Sequence, residues 1–571
     1  MPTARKRHRL YGGEKRMALK GGMDMHKLTL WGVMVFLCAV GFAAYAQQDL
    51  APEYGGELIY AYTVEPPTLF PLRTINIDCQ EIWLYAYENL FELDEQSDVV
   101  PWLAKSWEVS EDSLTYTLWL EKNISFSDGT PFNADAVKFV LEENLRVSSP
   151  ASSLLLGLVD ARVVDDYTIE LEFEVPIAAL IPNLASRSLC MWSPAAYEEH
   201  GADWMASNLV GTGPFLLDEW VHGEYVRFVK NGNYWKSGLP YLDAITIRLV
   251  PEMSVRMMML ETGEVDRTVG IGDYQLAALQ VNPDIRVRIV PSVRQSYVII
   301  NNLKHPYDNV LVRRALNYAI DKDAIIQSVY ASLGSVPCKM PIISEGVVGF
   351  SDMTAPGEDS LYPYDPERAS KLLGWAGFAD RDDDGILEDV EGNDLRMSLW
   401  TRKGRNRGDY ETMEMIQTYL INLGILAELR IWEFAAYSAM TSLGPEEAEY
   451  ELAFMSWGVF TGDADQPMML NFRTAAWKPA SSNRMFSANE EVDRLAEAAH
   501  SEVDPDRRRE LIRLWAEEVI SDAPIIFLPT LSINLASRTY VHDDRILPVE
   551  NYPARFAWLD SDEMARQGVS R

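Results

Sequence analysis

Residues 105–142 read KSWEVSEDSLTYTLWLEKNISFSDGTPFNADAVKFVLE and contain two kinds of periodicity. From Leu114 to Phe132 apolar and polar residues alternate, and Asp128-Gly129 is a hairpin-like turn signal. We therefore expect two strands around a turn. From Asn133 onward apolar residues recur at helical spacing, with Asn133 or Asp135 available as the N-cap. Strands that lead directly into an amphipathic helix indicate an α/β fold.

The pattern continues on both sides of this stretch and changes character near Ser296. Before that point, residues 215–231 read as a hairpin of two alternating runs. After it, the apolar strand SYVIINN precedes a long amphipathic helix, and the strands RMSLW and LAELRIW enclose another helix. This strand–helix–strand order predicts a mixed sheet. A last long helical stretch is interrupted at Pro505, and APIIFLPT then returns as an apolar strand.

The N-terminal segment has the features of a signal peptide. An apolar run, LTLWGVMVFLCAVGFA, follows Lys27 and ends before Ala44-Tyr45-Ala46, a small-x-small cleavage pattern. We expect residues 1–46 to direct export to the periplasm, with cleavage after Ala46. The alternative is a short retained anchor, but the run is short for a membrane-spanning helix.

The composition excludes one class of binding partner. The 571 residues include 85 acidic and 51 basic side chains, a formal net charge of −34, and the basic N-terminal segment leaves the remainder still more acidic. Such a surface repels nucleic acid, so we expect no nucleic-acid partner. Downstream of the predicted cleavage point, Cys79, Cys190 and Cys338 would allow one disulfide and leave one thiol over.

No catalytic signature stands out. The chain has no H-E-x-x-H, G-x-S-x-G, Walker loop or C-x-x-C pattern, and its seven histidines show no metal-ligand spacing. A secreted enzyme therefore remains only a remote alternative to a binding protein.

Several motifs, in order, resemble the family 5 extracellular solute-binding proteins, the peptide- and nickel-type receptors of ABC importers. The resemblance begins with the stretch at residues 105–142 and covers nearly the whole chain after residue 46. It continues through VGTGPFLLDEW, NGNYWKSGLPYLDAITIRLV, GEVD, VRRALNYAIDKDAII, YDPERASKLLGWAGF, LGILAELRIWEFAAY and EEVDRLAEAAHSEVDPDRRRELIRLWAEEVISDAPIIFLP.

The resemblance implies a two-lobed, type II-like periplasmic-binding-protein fold with an extra inserted subdomain and a hinge between the lobes. SYVIINN and APIIFLPT would be the two hinge strands. The expected segments are lobe I (47–85, 208–297 and 526–571), the inserted subdomain (86–207) and lobe II (298–525). The implied role is capture of a solute by a monomer and its delivery to an ABC permease, with no cofactor required.

Peptide-binding members of the family hold the ligand's α-amino group with an aspartate that follows a tryptophan. The matching run, SWGVFTGDADQPMMLNF, makes Asp463 and Asp465 the candidates, with Trp457 nearby. Ala464 stands where the family often has proline, so a solvated surface loop is the alternative. Peptide is the first ligand class, and oligosaccharide is the second.

Two further features are candidates for ligand contact. The run TRKGRNR places Arg402 and Arg405 in a local cationic loop that could hold an anion, although an exposed charged turn is the alternative. Trp432, which precedes EFAAY, is expected to face the cleft and could stack on a sugar.

The run DRDDDGILEDVE matches the loop of a calcium-binding EF-hand. Carboxylates stand at loop positions 1, 3, 5, 9 and 12, glycine at position 6, and a main-chain carbonyl at position 7. The single loop favours a structural Ca²⁺ over a sensor, while a solvated acidic turn is the alternative. The expected ligands are Asp380, Asp382, Asp384, Ile386, Glu388 and Glu391.

Overall fold

The structure is a computed structural model that describes residues 51–330, 333–402, 408–550 and 552–569, without the side chains of residues 273, 274 and 435. The predicted signal peptide and Arg405 lie outside the described residues. Among the helices of the described ranges, none combines the length and hydropathy that a bilayer crossing needs.

The strands and helices alternate along the chain. The described strands are β1 Glu57–Tyr62, β2 Phe91–Leu93, β3 Val99–Pro101, β4 Ala104–Val109, β5 Thr115–Leu120, β6 Leu158–Asp165, β7 Thr168–Phe173, β8 Phe215–Val221, β9 Tyr225–Lys230, β10 Ala244–Leu249, β11 Arg267–Val269, β12 Ile285–Ile300, β13 Arg396–Arg402, β14 Leu426–Trp432, β15 Leu452–Gly458, β16 Ile525–Arg538, β17 Val541–His542 and β18 Trp558–Leu559. The described helices are α1 Ile77–Trp83, α2 Ala134–Arg146, α3 Leu180–Leu184, α4 Pro194–Met205, α5 Met253–Thr262, α6 Asp273–Leu279, α7 Val310–Tyr318, α8 Lys322–Val329, α9 Pro366–Trp375, α10 Asp409–Asn422, α11 Phe434–Met440, α12 Asp465–Pro467, α13 Glu490–Ser501, α14 Pro505–Asp522 and α15 Ser561–Arg566.

Within the described residues, ten strands form one sheet in the order β14-β13-β15-β12-β16-β11-β1-β10-β9-β8. The long antiparallel strands β12 and β16 lie at its centre. On one side β1 runs parallel to β10 and β11, and on the other β13 runs parallel to β14 and β15. Two half-sheets thus share a central strand pair, which is the two-lobed α/β fold expected from the sequence.

The central pair contains the two segments expected to cross between the lobes. Val298 of SYVIINN lies opposite Ile526 of APIIFLPT, and every residue of β16 is buried. A strand covered on both faces has a nearly continuous apolar sequence, and this explains the apolar run IIFLP. Separate hydrophobic clusters lie on either side, one built around Trp83 and Trp192 and another around Trp400.

The stretch at residues 105–142 forms the edge of a four-stranded antiparallel sheet, β4-β5-β7-β6, with α2 beside it. Asn133 is the N-cap of α2, because its side chain accepts a bond from Ala136 N at 3.0 Å. The second predicted strand, however, is reduced to an isolated bridge between Ser125 and Pro131. The turn at Asp128 leaves too few residues for a ladder, and Phe126 and Phe132 are buried in the hydrophobic core instead.

The last helical stretch divides at the predicted proline. The helix α13 ends at Ser501 and α14 begins at Pro505, with Asp504 accepting a capping bond from Arg507 N at 2.9 Å. Proline fits the first turn of a helix because it has no N–H to leave unpaired there.

Candidate functional site

A cavity of about 900 Å³ lies between the two half-sheets. One wall comes from the carboxyl ends of β1 and β11 and from the loop after β10, and the other from the carboxyl ends of β13 and β15. In open α/β sheets ligands bind outside the carboxyl ends of parallel strands. Here both halves direct those ends toward one space, so this cavity is the candidate site.

An acidic side chain is fixed in the first wall. Asp78 lies in the first turn of α1, where the Asn76 side chain accepts a bond from Asp78 N at 2.8 Å. The Tyr62 hydroxyl donates to Asp78 Oδ1 at 3.1 Å, and Asp78 is only 8% exposed. The dipole of a helix favours a carboxylate at its N-terminus. The wall of the first half-sheet therefore carries a carboxylate that its hydrogen bonds keep in a fixed position.

The opposite wall carries Arg402, the last residue of β13. Its Nε donates to Asp409 Oδ2 at 2.9 Å, and its guanidinium lies 5.5 Å from the centre of the Phe434 ring and 5.2 Å from that of Tyr437. The ion pair and the aromatic faces hold the guanidinium in place. Arg402 was predicted as a ligand residue, and the structure places it in the cavity wall.

Two more arginines line the cavity. Arg256 donates to the carbonyls of Val250 at 2.8 Å and Pro251 at 2.7 Å, which fixes the loop after β10. Burial lowers the pKa of Arg256. Arg294, on the central strand β12, forms two bonds to the carboxylate of Glu550 in the C-terminal segment. The cavity is thus lined by opposite charges that are already oriented.

Asp463, the first predicted ligand anchor, is engaged elsewhere. Arg508 donates to both of its oxygens, at 2.8 and 2.6 Å, and Asp465 N donates to Oδ1 at 2.8 Å. Asp463 is 1% exposed and is not among the described residues that line the cavity. Its charge is already compensated inside the protein. These contacts give no support to Asp463 as an anchor for a ligand's ammonium.

Asp465 faces a different cavity, of about 350 Å³, which it lines together with His500 and Ile177. Asp465 Oδ1 lies 2.9 Å from His500 Nδ1, and the His500 carbonyl accepts a bond from Ala178 N at 3.0 Å. Asp465 therefore belongs to the contact between the region of residues 177–178 and helix α13.

The two predicted tryptophans are half-buried neighbours of residues that line the cavity, Trp432 of Arg402 and Trp457 of Ser456. The rings of Trp432 and Trp400 are 4.9 Å apart, and Trp457 pairs with Gln295 across β15 and β12. Neither Trp432 nor Trp457 is among the described residues that line the cavity. Trp432 lies opposite Arg402 in the β13–β14 ladder, beside the cavity wall.

The acidic loop brings four of the predicted cation ligands together. One oxygen from each of Asp380, Asp382, Asp384 and Glu388 lies within 4.8 Å of the others. Ile386 N donates to Asp384 Oδ1 at 2.8 Å.

Glu391 lies outside this group of four carboxylates within the described residues, in contrast to the EF-hand pattern. The reason is a second turn, in which the Asp389 side chain accepts bonds from Glu391 N and Asn393 N. Glu388 also forms bridges with Ala379 and Asp394, which directs the chain into β13 before position 12 can fold back.

The cysteines of the described residues, Cys79, Cys190 and Cys338, are buried with free thiols. Burial raises the pKa of Cys79 and of Cys338 to about 12, so thiolate chemistry is suppressed at both.

Reading the sequence did not identify Asp78, Arg256, Arg294 and Glu550. Each is contributed by a different segment, so no local motif contains more than one of them. Arg294 offered one signal, because a charged side chain beside Ser292 and Gln295 interrupts a strand that becomes apolar from Tyr297 onward.

Comparisons with known proteins agree with this architecture. Residues 98–479 match the model of the bacterial extracellular solute-binding proteins, family 5 middle region. The chain is 31% identical to the glutathione-binding protein GsiB of Pectobacterium atrosepticum, with 81% of this chain and 88% of that protein covered.

GsiB of Escherichia coli K12 is 30% identical, with 88% of this chain and 93% of that protein covered. Among solved structures, the periplasmic binding protein DppA of Helicobacter pylori in complex with the peptide STSA superposes with a TM-score of 0.74 at 25% identity. That superposition covers 89% of this chain and 99% of DppA.

Proposed function

Because the chain belongs to the family 5 bacterial extracellular solute-binding proteins, we propose that it captures a peptide-like solute between its lobes and presents it to an ABC permease. Like its relatives, it is a binding protein and not an enzyme. The observation that carries the proposal is the charge arrangement of the cavity, with Asp78 in one wall and Arg402 in the other.

A short peptide with free ends fits this arrangement, because it has an ammonium at one end and a carboxylate at the other. We assign the ammonium to Asp78 and the carboxylate to Arg402, since a charge-assisted hydrogen bond is both strong and directional. A solved relative points the same way, because DppA of Helicobacter pylori was solved with the peptide STSA. Asp463 and Asp465 are not needed in this assignment. An oligosaccharide remains the alternative, but the cavity is lined by charges rather than by Trp432 or Trp457.

Closing over the ligand is the proposed mode of capture. Contacts from both walls stabilise the closed form only when ligand is present, so a permease can distinguish loaded from empty protein by shape. The proposed lobes comprise residues 47–85, 208–297 and 526–571 on one side and 298–525 on the other, with residues 86–207 inserted into the first. We also propose that the protein acts as a monomer in the periplasm and that residues 1–46 are removed after Ala46.

Replacing Arg402 with alanine is expected to weaken the binding of a free tripeptide such as trialanine about 30-fold, or about 2 kcal/mol, because a charge-assisted hydrogen bond is lost. The variant is also expected to be less stable, because the buried Asp409 carboxylate loses its bond from Arg402. Trialanine amide should bind the variant and the parent protein equally. Isothermal titration calorimetry measures both affinities.

Arg430→Ala is the matched control, because Arg430 is on the neighbouring strand β14 and its pair with Glu428 is exposed. Native mass spectrometry of whatever co-purifies gives an independent check. Released masses spaced by hexose units, together with full trialanine affinity in Arg402→Ala, would contradict the peptide assignment.

We also propose that the acidic loop holds one Ca²⁺ that fixes the connection between α9 and β13. Adding Ca²⁺ at one hundred times its Kd is expected to stabilise the protein by about 2.7 kcal/mol, and chelation should reverse this. The variant Asp382→Asn should lose the response. Asp383→Asn should keep it, because Asp383 has a left-handed φ of 63° that asparagine tolerates and lies outside the carboxylate group. Thermal unfolding that is unchanged by Ca²⁺ would leave the loop as a solvated acidic turn.

A further inference from the structure

The ion pair between Arg294 and Glu550 lies inside the ligand cavity, and both residues line it. Arg294 Nε donates to Glu550 Oε1 at 2.6 Å, and Nη2 donates to Oε2 at 2.9 Å. Two parallel bonds of this kind are the geometry with which a guanidinium binds a free carboxylate. The Glu550 carboxylate therefore takes the position on the Arg294 guanidinium that the carboxylate of a bound molecule would take.

Arg294 is also held by groups other than Glu550. Its Nη1 donates to Ser456 Oγ at 3.3 Å, and its backbone N donates to Ser292 Oγ at 2.7 Å. The Phe460 ring centre lies 5.2 Å from the guanidinium carbon. These contacts would keep the guanidinium in place if the Glu550 carboxylate were removed.

The backbone at Glu550 is strained. Its φ is 55°, in the left-handed region that is unfavourable for a non-glycine residue. The segment is fixed by Arg187, which donates to the carbonyls of Val549 at 2.7 Å and Glu550 at 3.4 Å, and by Val293 N, which donates to the Pro548 carbonyl at 2.9 Å. Strain of this kind concentrates at functional sites, where surrounding contacts maintain it.

The other charged side chains in the cavity explain why the pairing of Arg294 with Glu550 affects which ligand can bind. Burial lowers the pKa of Arg294, but the attraction of Glu550 outweighs burial, and the pKa lies above the usual value. The other charged side chains in the cavity wall are Asp78, Arg256 and Arg402. Arg256 donates through both of its Nη atoms to the carbonyls of Val250, Pro251 and Gly270, whereas Arg402 is engaged with Asp409 through Nε. If Glu550 did not neutralise Arg294, Arg294 and Arg402 would therefore be two arginines that can each take a ligand carboxylate.

We propose that Glu550 fills a second carboxylate-binding position on Arg294 from within the chain, and so restricts the ligand to one free carboxylate, held by Arg402. This inference rests on the proposed function, because it concerns the same cavity. Glu550 is then a specificity-determining residue that excludes peptide-like molecules with two carboxylates.

The first test needs no knowledge of the ligand. Glu550→Gly removes the carboxylate and relieves the left-handed strain, because glycine adopts positive φ without penalty. Sodium acetate, compared with sodium chloride at equal ionic strength, is expected to raise the thermal midpoint of this variant by about 1–2 °C. Glu550→Gln, which keeps the side-chain volume, and the parent protein should not respond. An equal response in the three proteins would overturn the proposal, because Arg294 would then not be a carboxylate site that Glu550 fills.

The second test measures specificity by tryptophan fluorescence titration with trialanine, which has one carboxylate, and with glutathione, which has two. Glu550→Gly should increase the affinity for glutathione relative to trialanine at least tenfold. The matched control is Glu92→Gln, because the Glu92 carboxylate is paired with Arg555 and lies outside this cavity. An unchanged ratio in Glu550→Gly would refute the specificity role. If the parent protein bound neither probe, the proposed peptide class would fail, while the acetate response would still decide whether Arg294 is a carboxylate site.

Discussion

Replacing Asp463 with alanine is expected to lower the free energy of unfolding by about 3–5 kcal/mol, because it leaves the Arg508 guanidinium buried without its carboxylate. The two side chains are 1% and 8% exposed, and Arg508 Nε is already committed to the Ala499 carbonyl at 3.1 Å. Burial lowers the pKa of Arg508, but the attraction of Asp463 outweighs it and raises the pKa above its usual value. The pair therefore acts as a structural link between the segment after β15 and helix α14.

Urea unfolding followed by circular dichroism measures this loss. Asp506→Ala is the matched control, since Asp506 pairs with the exposed Arg509 on the same helix and its loss should cost little. The double variant Asp463→Leu with Arg508→Leu should recover much of the stability, because replacing both charges leaves none unpaired. Full stability in Asp463→Ala, combined with a large loss of peptide affinity, would instead establish Asp463 as the ligand anchor that the sequence suggested.

Glu81 is expected to make the protein less stable as the pH rises from about 4.5 to 8. Burial raises the pKa of Glu81 to about 7, although Arg267 and Arg187 lower it. Tyr552 N donates to Oε2 at 3.3 Å, while Oε1 has no hydrogen-bond partner among the described residues. The side chain lines a small cavity of about 40 Å³ that shares Tyr552 with the ligand cavity. The folded protein thus favours the protonated form.

The direction follows from proton linkage. Between a pKa near 4.5 in the unfolded chain and about 7 in the folded protein, the folded state binds more protons, so stability is greatest at low pH and is lost through pH 7. The size of the effect is about 3 kcal/mol. The free energy of unfolding of Glu81→Gln, relative to that of the parent protein, should therefore be about 3 kcal/mol higher at pH 8 than at pH 4.5.

Glu198→Gln, which changes an exposed carboxylate in α4, should follow the parent protein at every pH. If the free energy of unfolding of Glu81→Gln and of the parent protein changed with pH in the same way, Glu81 would be ionised in the folded state. Arg267 and Arg187 would then compensate its negative charge.

The sequence predicted the fold more completely than the site. Strand pairing and the two crossing segments follow from hydrophobic pattern, because SYVIINN and APIIFLPT are apolar on both faces and can lie only in a covered sheet. The strand expected at Ile124 failed because two phenylalanines and a turn at Asp128 outweighed the alternation of polar and apolar residues. The position of Arg402 could be predicted, since it is at the carboxyl end of an apolar strand and such ends face the cavity.

The partners of the charged residues could not be predicted. Asp463 looked available for a ligand because nothing near it in sequence shows that Arg508 reaches it from another helix. Arg294 and Glu550 are likewise far apart along the chain, and only the folded sheet brings them together. Sequence pattern thus indicates which side chains stand at strand ends, but tertiary structure decides which of them are already neutralised.

The position of β16 has a consequence for how this protein is made. Residues 525–538 fill the gap between β12 and β11 at the centre of the large sheet, so neither half-sheet can be joined to the other until residue 538 has left the ribosome. Pairing between segments so distant in sequence is intrinsically slow. The two half-sheets therefore remain unjoined while the preceding segments are synthesised. For a member of an extracellular family, that delay gives the translocation machinery time to engage a nascent polypeptide that is still unfolded.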